Sequence, residues 1–72
     1  MRHLLKQARC KKGLTVSEIA EMVEISESFY YKIESGLRNP TMETAKRIAD
    51  TLDQTVDELF FDENMDELSN IG

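Results

Sequence analysis

Apolar residues recur every three or four positions in five segments of the chain, and polar turn residues separate these segments. This spacing is typical of amphipathic helices that pack on a core. The predicted helices cover residues 2–12, 16–23, 27–35 and 42–52, and a short fifth helix runs through Leu59 and Phe60. No segment has the alternating β-branched pattern of a strand. The sequence therefore predicts an all-α bundle of five short helices.

Capping residues mark the predicted helix ends. Two threonine–glutamate pairs match the capping box, in which each side chain bonds the other residue's backbone amide: Thr15 with Glu18, and Thr55 with Glu58. Hydroxyl residues suited to the N-cap precede the third and fourth helices, and glycines follow the first and third: Ser26, Thr41, Gly13 and Gly36. These signals fix the number of helices independently of the apolar pattern.

The apolar stripes predict the core. Its expected members are Leu4, Leu5, Ala8, Ile19, Ala20, Val23, Tyr30, Ile33, Met42, Ala45, Ile48, Ala49 and Leu52. The small side chain of Ala20 is expected where the second and third helices cross, and Ile25 is expected to fill the turn between them. Since two adjacent aromatics cannot both face one small core, Leu59, Phe60 and Phe61 are the predicted dimer interface.

The net charge of −5 is unevenly distributed. Residues 1–55 contain all nine lysines and arginines and eight acids, whereas residues 56–72 contain six acids and no base. We therefore predict one domain over residues 1–61 and an acidic tail over residues 62–72. Met65, Leu68 and Ile71 recur every three residues in the tail, which either frays or docks on the body or on a second subunit. A nearly neutral body can still present a local basic surface to nucleic acid.

Composition argues against several other classes of protein. Cys10 is the one cysteine of the 72 residues, so it cannot form an intramolecular disulfide, and a reduced cytoplasmic setting is expected. The apolar runs are far shorter than the ~20 residues of a membrane span. His3 is the one histidine, so we expect no metal site and no cofactor. The sequence shows no catalytic constellation, so we also expect no enzyme activity. A buried or idle Cys10 thiol is the main expectation, and a redox switch is the alternative.

The second and third predicted helices, joined by a short turn, match a helix-turn-helix unit. Tyr30 and Ile33 anchor the third helix from beneath, and Phe29 lies at its edge. The outward side chains are then Glu27, Ser28, Tyr31 and Lys32. Such a helix fits the major groove of B-DNA, which is ~12 Å wide.

The ordered motifs of residues 2–61 resemble the Cro/repressor-type helix-turn-helix family, also called the xenobiotic-response-element family. The resemblance rests on Arg9, Gly13-Leu14-Thr15, Glu18-Ile19-Ala20, Ile25-Ser26-Glu27-Ser28, Lys32-Ile33-Glu34-Ser35-Gly36, Arg38-Asn39-Pro40 and Asp57-Glu58-Leu59-Phe60. It implies a compact, lambda-repressor-like five-helix domain. It also implies a transcriptional regulator, a repressor by preference, that binds a palindromic operator on double-stranded DNA as a homodimer.

The resemblance also implies roles for individual residues. The base contacts would come from Glu27, Ser28, Tyr31 and Lys32, and the contacts with the DNA backbone from Ser17, Ser26, Arg38 and Asn39. Arg9 and Glu34 correspond to an internal ion pair of the family.

The sequence departs from the family pattern at three positions. Val16 stands where a phosphate-binding glutamine is frequent, Glu24 stands at a turn position that often has glycine, and Glu27 puts an acid on the recognition helix. The glutamates at 18, 21, 24 and 27 form either a solvated face or a docking stripe. Val16, Glu27 and the acidic tail favour an alternative function, a protein-interaction module that presents this face and the tail to a basic partner. In a further hypothesis, residues 62–72 fold over the loop near Arg38 and compete with DNA.

Overall fold

The computed structural model describes residues 1–61, the last of them by its backbone alone. Four α-helices form, α1 (His3–Lys11), α2 (Val16–Met22), α3 (Glu27–Ser35) and α4 (Met42–Thr51). A π-helical segment, Asp57–Phe61, follows them. The described residues contain no strand, so the all-α prediction is confirmed. The fifth element is wound more widely than the predicted helix, as short π-type turns are.

All three N-caps predicted for the second, third and fourth helices form. The hydroxyls of Thr15, Ser26 and Thr41 each accept a hydrogen bond from the backbone amide three residues later. Both capping boxes are complete, because the Glu18 and Glu58 carboxylates accept from the Thr15 and Thr55 amides at 2.8 Å. These bonds satisfy amides that a helix start leaves without an intrahelical partner.

The four α-helices end in the same way. Each is followed by a residue in the left-handed conformation, with φ of 74° at Gly13, 62° at Glu24, 88° at Gly36 and 58° at Asp53. The next residue then donates to a carbonyl in the last turn, as Leu14 does to Arg9 at 3.2 Å and Gln54 to Ala49 at 2.9 Å. This is the Schellman motif. The two glycines were predicted to end helices, whereas Asp53 carries no such signal.

The core brings together the buried faces of all five elements. Its side chains are Leu5, Ile19, Ala20, Val23, Tyr30, Ile33, Ala45, Ile48, Ala49, Leu52, Leu59 and Phe60. Most of the predicted core is therefore confirmed, and Ala8 packs at its margin. Met42 is a wrong prediction, because its side chain is 54% exposed. It occupies the first position of α4, one turn before Ala45, where the buried face of the helix begins.

Leu59 and Phe60 are also wrongly predicted as dimer-interface residues. They are only 4% and 5% exposed in the isolated chain, because the π-helical segment packs against α1 and closes the core. So small a domain needs these large side chains to cover its own interior. The side chain of Phe61 and residues 62–72, with their predicted docking and competition, lie outside the described residues.

A buried ion pair joins α1 to α3. Arg9 donates from Nε and Nη2 to both oxygens of the Glu34 carboxylate, at 2.9 and 3.0 Å. Arg9 Nη1 also donates to the Leu14 carbonyl at 2.8 Å. The hydrogen bond to Glu34 raises the pKa of Arg9. Since Glu34 is only 4% exposed, its charge depends on this one arginine for compensation within the described residues.

The Tyr30 hydroxyl lies in the same region without a hydrogen bond of good geometry to any described residue. The ring is fully buried. Burial, reinforced by the nearby Glu34 charge, raises the pKa of Tyr30 above its ordinary value of about 10. The folded protein therefore keeps this proton at a pH where the unfolded chain releases it.

Tyr30→Phe is expected to remove one component of alkaline unfolding. Above pH about 10, unfolding lets Tyr30 ionise, so wild-type stability falls by up to ~1.4 kcal/mol per pH unit more than that of the variant. At pH 7 the variant should be as stable as wild type or more so, because it buries no unpaired hydroxyl. Denaturant unfolding between pH 7 and 11 measures both effects, with Tyr31→Phe as the control on an exposed tyrosine. Parallel pH profiles for wild type and Tyr30→Phe would contradict the prediction.

Cys10 is exposed and forms no disulfide. Of the expected buried or idle thiol, the buried alternative is wrong, because the residue is exposed on α1. The idle thiol and the redox switch stay predictions. None of the helices in residues 1–61 combines the length and the apolar character that a bilayer crossing requires.

Candidate nucleic-acid interface

Helices α2 and α3 pack together through a tight turn. Ala20 is 2% exposed, and Val23 and Ile25 complete the contact beneath the turn. The Ile25 amide donates to the Ala20 carbonyl at 3.0 Å, which closes the end of α2 just before Ser26 caps α3. The predicted helix-turn-helix unit is therefore present, with the predicted small residue buried in α2.

Glu24 adopts the left-handed conformation in this turn, at a φ of 62°. A side chain in this conformation costs about 1–2 kcal/mol relative to the right-handed helix. Its carboxylate lies 3.7 Å from Arg47 of α4, but both side chains are largely exposed, at 78% and 47%. Such an exposed pair offsets little of the backbone cost.

Glu24→Gly is expected to stabilise the domain by ~1 kcal/mol, because glycine adopts this conformation without strain. For a domain of this size, the gain corresponds to about 4–8 °C in Tm. Glu24→Ala is the matched control: it removes the same charge and keeps the strained Cβ. Thermal unfolding should show a higher Tm than wild type for Glu24→Gly and not for Glu24→Ala. Equal Tm values for the two variants would show that the turn is not strained.

Helix α3 has two distinct faces. Tyr30, Ile33 and Glu34 are buried and fix its position in the bundle. The predicted base-contacting residues are all exposed: Glu27, Ser28, Tyr31 and Lys32. Tyr31 is 57% exposed, an unusual position for an aromatic ring. Phe29 is half-buried and packs against the core.

Three of these residues line one shallow depression on the surface. Glu27, Ser28 and Tyr31 surround it together with Val16, the first residue of α2. Lys32 follows Ser28 by one turn of α3, so the two side chains are neighbours on the helix surface. The depression therefore combines a hydroxyl, a carboxylate and an aromatic ring with an apolar side chain.

The residues predicted to contact the DNA backbone surround α3. Ser17 and Arg38 are exposed, in the first turn of α2 and in the loop after α3. Ser26 is exposed too, and its Oγ accepts from the Phe29 amide at 3.0 Å. Asn39 is exposed, but its Oδ1 accepts from Arg2 at 2.6 Å. Sequence reasoning missed this role of Arg2, because no local pattern connects residues 37 positions apart.

The glutamates at 18, 21, 24 and 27 are all exposed. Two of them have specific partners, because Glu18 completes the capping box and Glu24 faces Arg47. The acid at Glu27 lies in the first turn of α3, where a negative charge suits the helix dipole. Capping, an ion pair and the helix dipole therefore account for three of the four glutamates on this face.

A family model described as helix-turn-helix matches residues 5–59, which is most of the chain. The chain belongs to the helix-turn-helix family. The match includes α2, the turn and α3, and it extends to the segment that closes the core. The resemblance drawn from the sequence motifs is therefore confirmed.

Helix-turn-helix relatives include two regulators from Bacillus subtilis strain 168. The HTH-type transcriptional regulator YqaF is 38% identical over 52 residues, which are 72% of this chain and 68% of YqaF. The HTH-type transcriptional regulator AnsR is 38% identical over 55 residues, which are 76% of this chain and 47% of AnsR. The chain thus spans about two thirds of one relative and about half of the other.

Solved structures of SinR have the same fold. The complex of SinR with SinI superposes with a TM-score of 0.75 at 28% identity and covers 93% of this chain and 69% of that one. SinR, named as the master regulator for biofilm formation, has also been solved in complex with DNA. That structure superposes with a TM-score of 0.70 at 34% identity, and the match covers 76% of this chain and 89% of that one. This chain is therefore a transcriptional regulator with a helix-turn-helix DNA-binding domain, and not an enzyme.

Proposed function

We propose that this regulator is a sequence-specific repressor that binds a palindromic operator as a homodimer, with α3 in the major groove. The two faces of α3 carry the proposal. Tyr30, Ile33 and Glu34 lock one side into the core, and the polar side chains on the other side remain exposed. A rigid helix with such an outward face suits the readout of base edges in the major groove.

Each exposed residue of α3 has a proposed contact. Lys32 donates to guanine O6 or N7, and Glu27 accepts from the amino group of cytosine. Tyr31 touches a thymine methyl or bonds a phosphate, and Ser28 bonds a base edge with little discrimination. The neighbouring residues grip the sugar-phosphate backbone without reading sequence: Ser17, Ser26, Arg38 and Asn39.

Selection of bound duplexes from a random pool tests the proposal. A dimer should enrich an inverted repeat whose half-sites are ~34–36 Å apart, one turn of DNA. Affinity for the enriched duplex should fall steeply as salt rises, because phosphate contacts release counterions. A pool without enrichment would reject sequence-specific binding, and an enriched single half-site would reject the homodimer. A reporter gene under the selected operator distinguishes repression from activation. Activation is the role named for a relative, the transcriptional activator BcrR of Enterococcus faecalis.

For the dimer contact, Phe61 remains the candidate, since Leu59 and Phe60 belong to the monomer core. Sedimentation equilibrium should give twice the chain mass of 8.3 kDa. Phe61→Ala should shift the protein toward monomer at the same concentration. If the DNA-free wild type is a monomer at the concentration that saturates the operator, the proposed dimer does not form before DNA binding.

A second candidate is a protein-interaction module that presents the acidic face to a basic partner. The exposed glutamates at 18, 21, 24 and 27 favour it, and SinR has been solved with a protein, SinI. A gel shift on random duplex DNA at low salt distinguishes the two functions, because no binding at any salt would favour the protein partner. Deleting residues 62–72 tests the proposed competition of the tail with DNA: higher affinity supports it, and unchanged or lower affinity rejects it.

A further inference from the structure

Arg2 joins three parts of the molecule that are far apart in sequence. Its Nε donates to the Ile33 carbonyl at 3.0 Å, and its Nη2 donates to Asn39 Oδ1 at 2.6 Å. Its backbone amide donates to the Glu34 carbonyl at 2.8 Å. The guanidinium also lies over the Phe60 ring, 5.3 Å from its centroid.

These contacts meet where α3 ends and the following loop begins. Ile33 and Glu34 belong to the last turn of α3, and their carbonyls accept from the side chain and from the backbone amide of Arg2, respectively. A cation at this end also complements the helix dipole. The loop itself is tied back to α3, because the amides of Leu37 and Arg38 donate to the Lys32 carbonyl at 2.9 and 3.2 Å. Arg2 therefore connects the end of α3 to a side chain of the loop.

We propose that Arg2 is a positioning residue for the DNA-backbone contacts of the loop at residues 37–39, an inference that rests on the proposed function. Arg2 holds Asn39 against the end of α3 before DNA arrives, with the buried Phe60 ring as its support. A loop ordered in the free protein loses less conformational freedom on binding, which strengthens affinity. In this proposal the guanidinium acts through the loop rather than on phosphate, and its Nε and Nη2 groups already donate to protein acceptors.

The shape of the side chain matters for this role. A guanidinium presents several donors in one plane and can stack on a ring while it bonds two acceptors. A lysine ammonium keeps the charge but lacks this fixed fork. Arg2→Lys therefore separates the positioning role from the charge alone.

The test compares Arg2→Ala and Arg2→Lys with Lys6→Ala, which removes a charge from the exposed side of α1. Amide hydrogen exchange at Leu37 and Arg38 is measured in the free proteins. Fluorescence anisotropy gives Kd for the selected duplex at several salt concentrations. We expect both Arg2 variants to speed exchange and to raise Kd about three- to tenfold, with an unchanged dependence of log Kd on log salt. Lys6→Ala should leave the exchange unchanged.

A double-mutant cycle with Asn39→Ala locates the effect. If Arg2 acts through Asn39, the double variant binds DNA no more weakly than Asn39→Ala alone. Unchanged exchange in Arg2→Ala, or additive losses in the cycle, would overturn the proposal. A salt slope reduced by ~0.9 would also overturn it, because Arg2 would then contact a phosphate itself. Failure of the wild type to bind any duplex would reject the proposed function, and the exchange data would still decide whether Arg2 orders the loop.

Discussion

Arg9→Ala is expected to destabilise the domain by about 3–5 kcal/mol, the usual loss when one partner of a buried ion pair is removed. Glu34 is 4% exposed in the folded domain, and the substitution removes the two hydrogen bonds that its carboxylate accepts from Arg9. It also removes the donor to the Leu14 carbonyl. For a domain of marginal stability, this loss leaves a large unfolded fraction at 37 °C. Denaturant unfolding at 15 °C provides the measurement.

Two control variants separate the ion pair from its charges. Lys12→Ala breaks the pair between Lys12 and Asp53, which is exposed on both sides, and should lose no more than ~1 kcal/mol. The double variant Arg9→Met, Glu34→Leu removes both buried charges and should recover most of the stability. If Arg9→Ala and Lys12→Ala lose the same small amount, Glu34 does not depend on Arg9 and the account of the α1–α3 contact is wrong.

Lys32→Ala is expected to reduce the preference for the selected operator over random duplex about 5- to 150-fold. This range corresponds to the ~1–3 kcal/mol of discrimination that one good base contact provides. The fold should remain intact, because Lys32 is exposed on the outer face of α3. Competition binding against random duplex measures the ratio, and a repeated selection shows whether one operator position has become degenerate.

Lys46→Ala is the matched control for this experiment. It removes the same charge from an exposed position on α4, outside the helix-turn-helix unit. It should weaken binding to operator and to random duplex alike, if at all, because a loss of net positive charge carries no sequence information. Equal losses of operator preference in the two variants would show that Lys32 contributes charge and does not read a base.

Local signals in the sequence predicted most of the fold. The Thr15–Glu18 and Thr55–Glu58 boxes, the Ser26 cap and the Gly36 stop depend on residues within three or four positions, and all of them form. The apolar stripes predicted the core for the same reason, since a helix repeats its buried face regularly. The prediction of Met42 as a core residue failed, because an apolar stripe does not reveal where the buried face begins at a helix end.

Features that depend on distant contacts could not be predicted. The sequence of Leu59 and Phe60 is compatible with burial in the monomer core or in a dimer interface. The packing of the last segment on α1 decides between the two. Arg2 bonds residues 31 and 37 positions away, and nothing near it in sequence marks it as a contact of the recognition helix. The exposed face of α3 was predictable, because Tyr30 and Ile33 define the opposite face. The base that each exposed side chain contacts could not be predicted, because it also depends on the sequence of the bound DNA.

The most direct test of the account is an NMR titration of the 15N-labelled protein with the selected duplex. We expect the largest shift changes at residues 26–32, which are the N-cap and the first part of α3, and at 37–39 of the following loop. The amides of Lys46 to Thr51 in α4 should change little. Changes confined to α1 or α4, with the α3 amides unmoved, would contradict the claim that the outward face of α3 reads DNA.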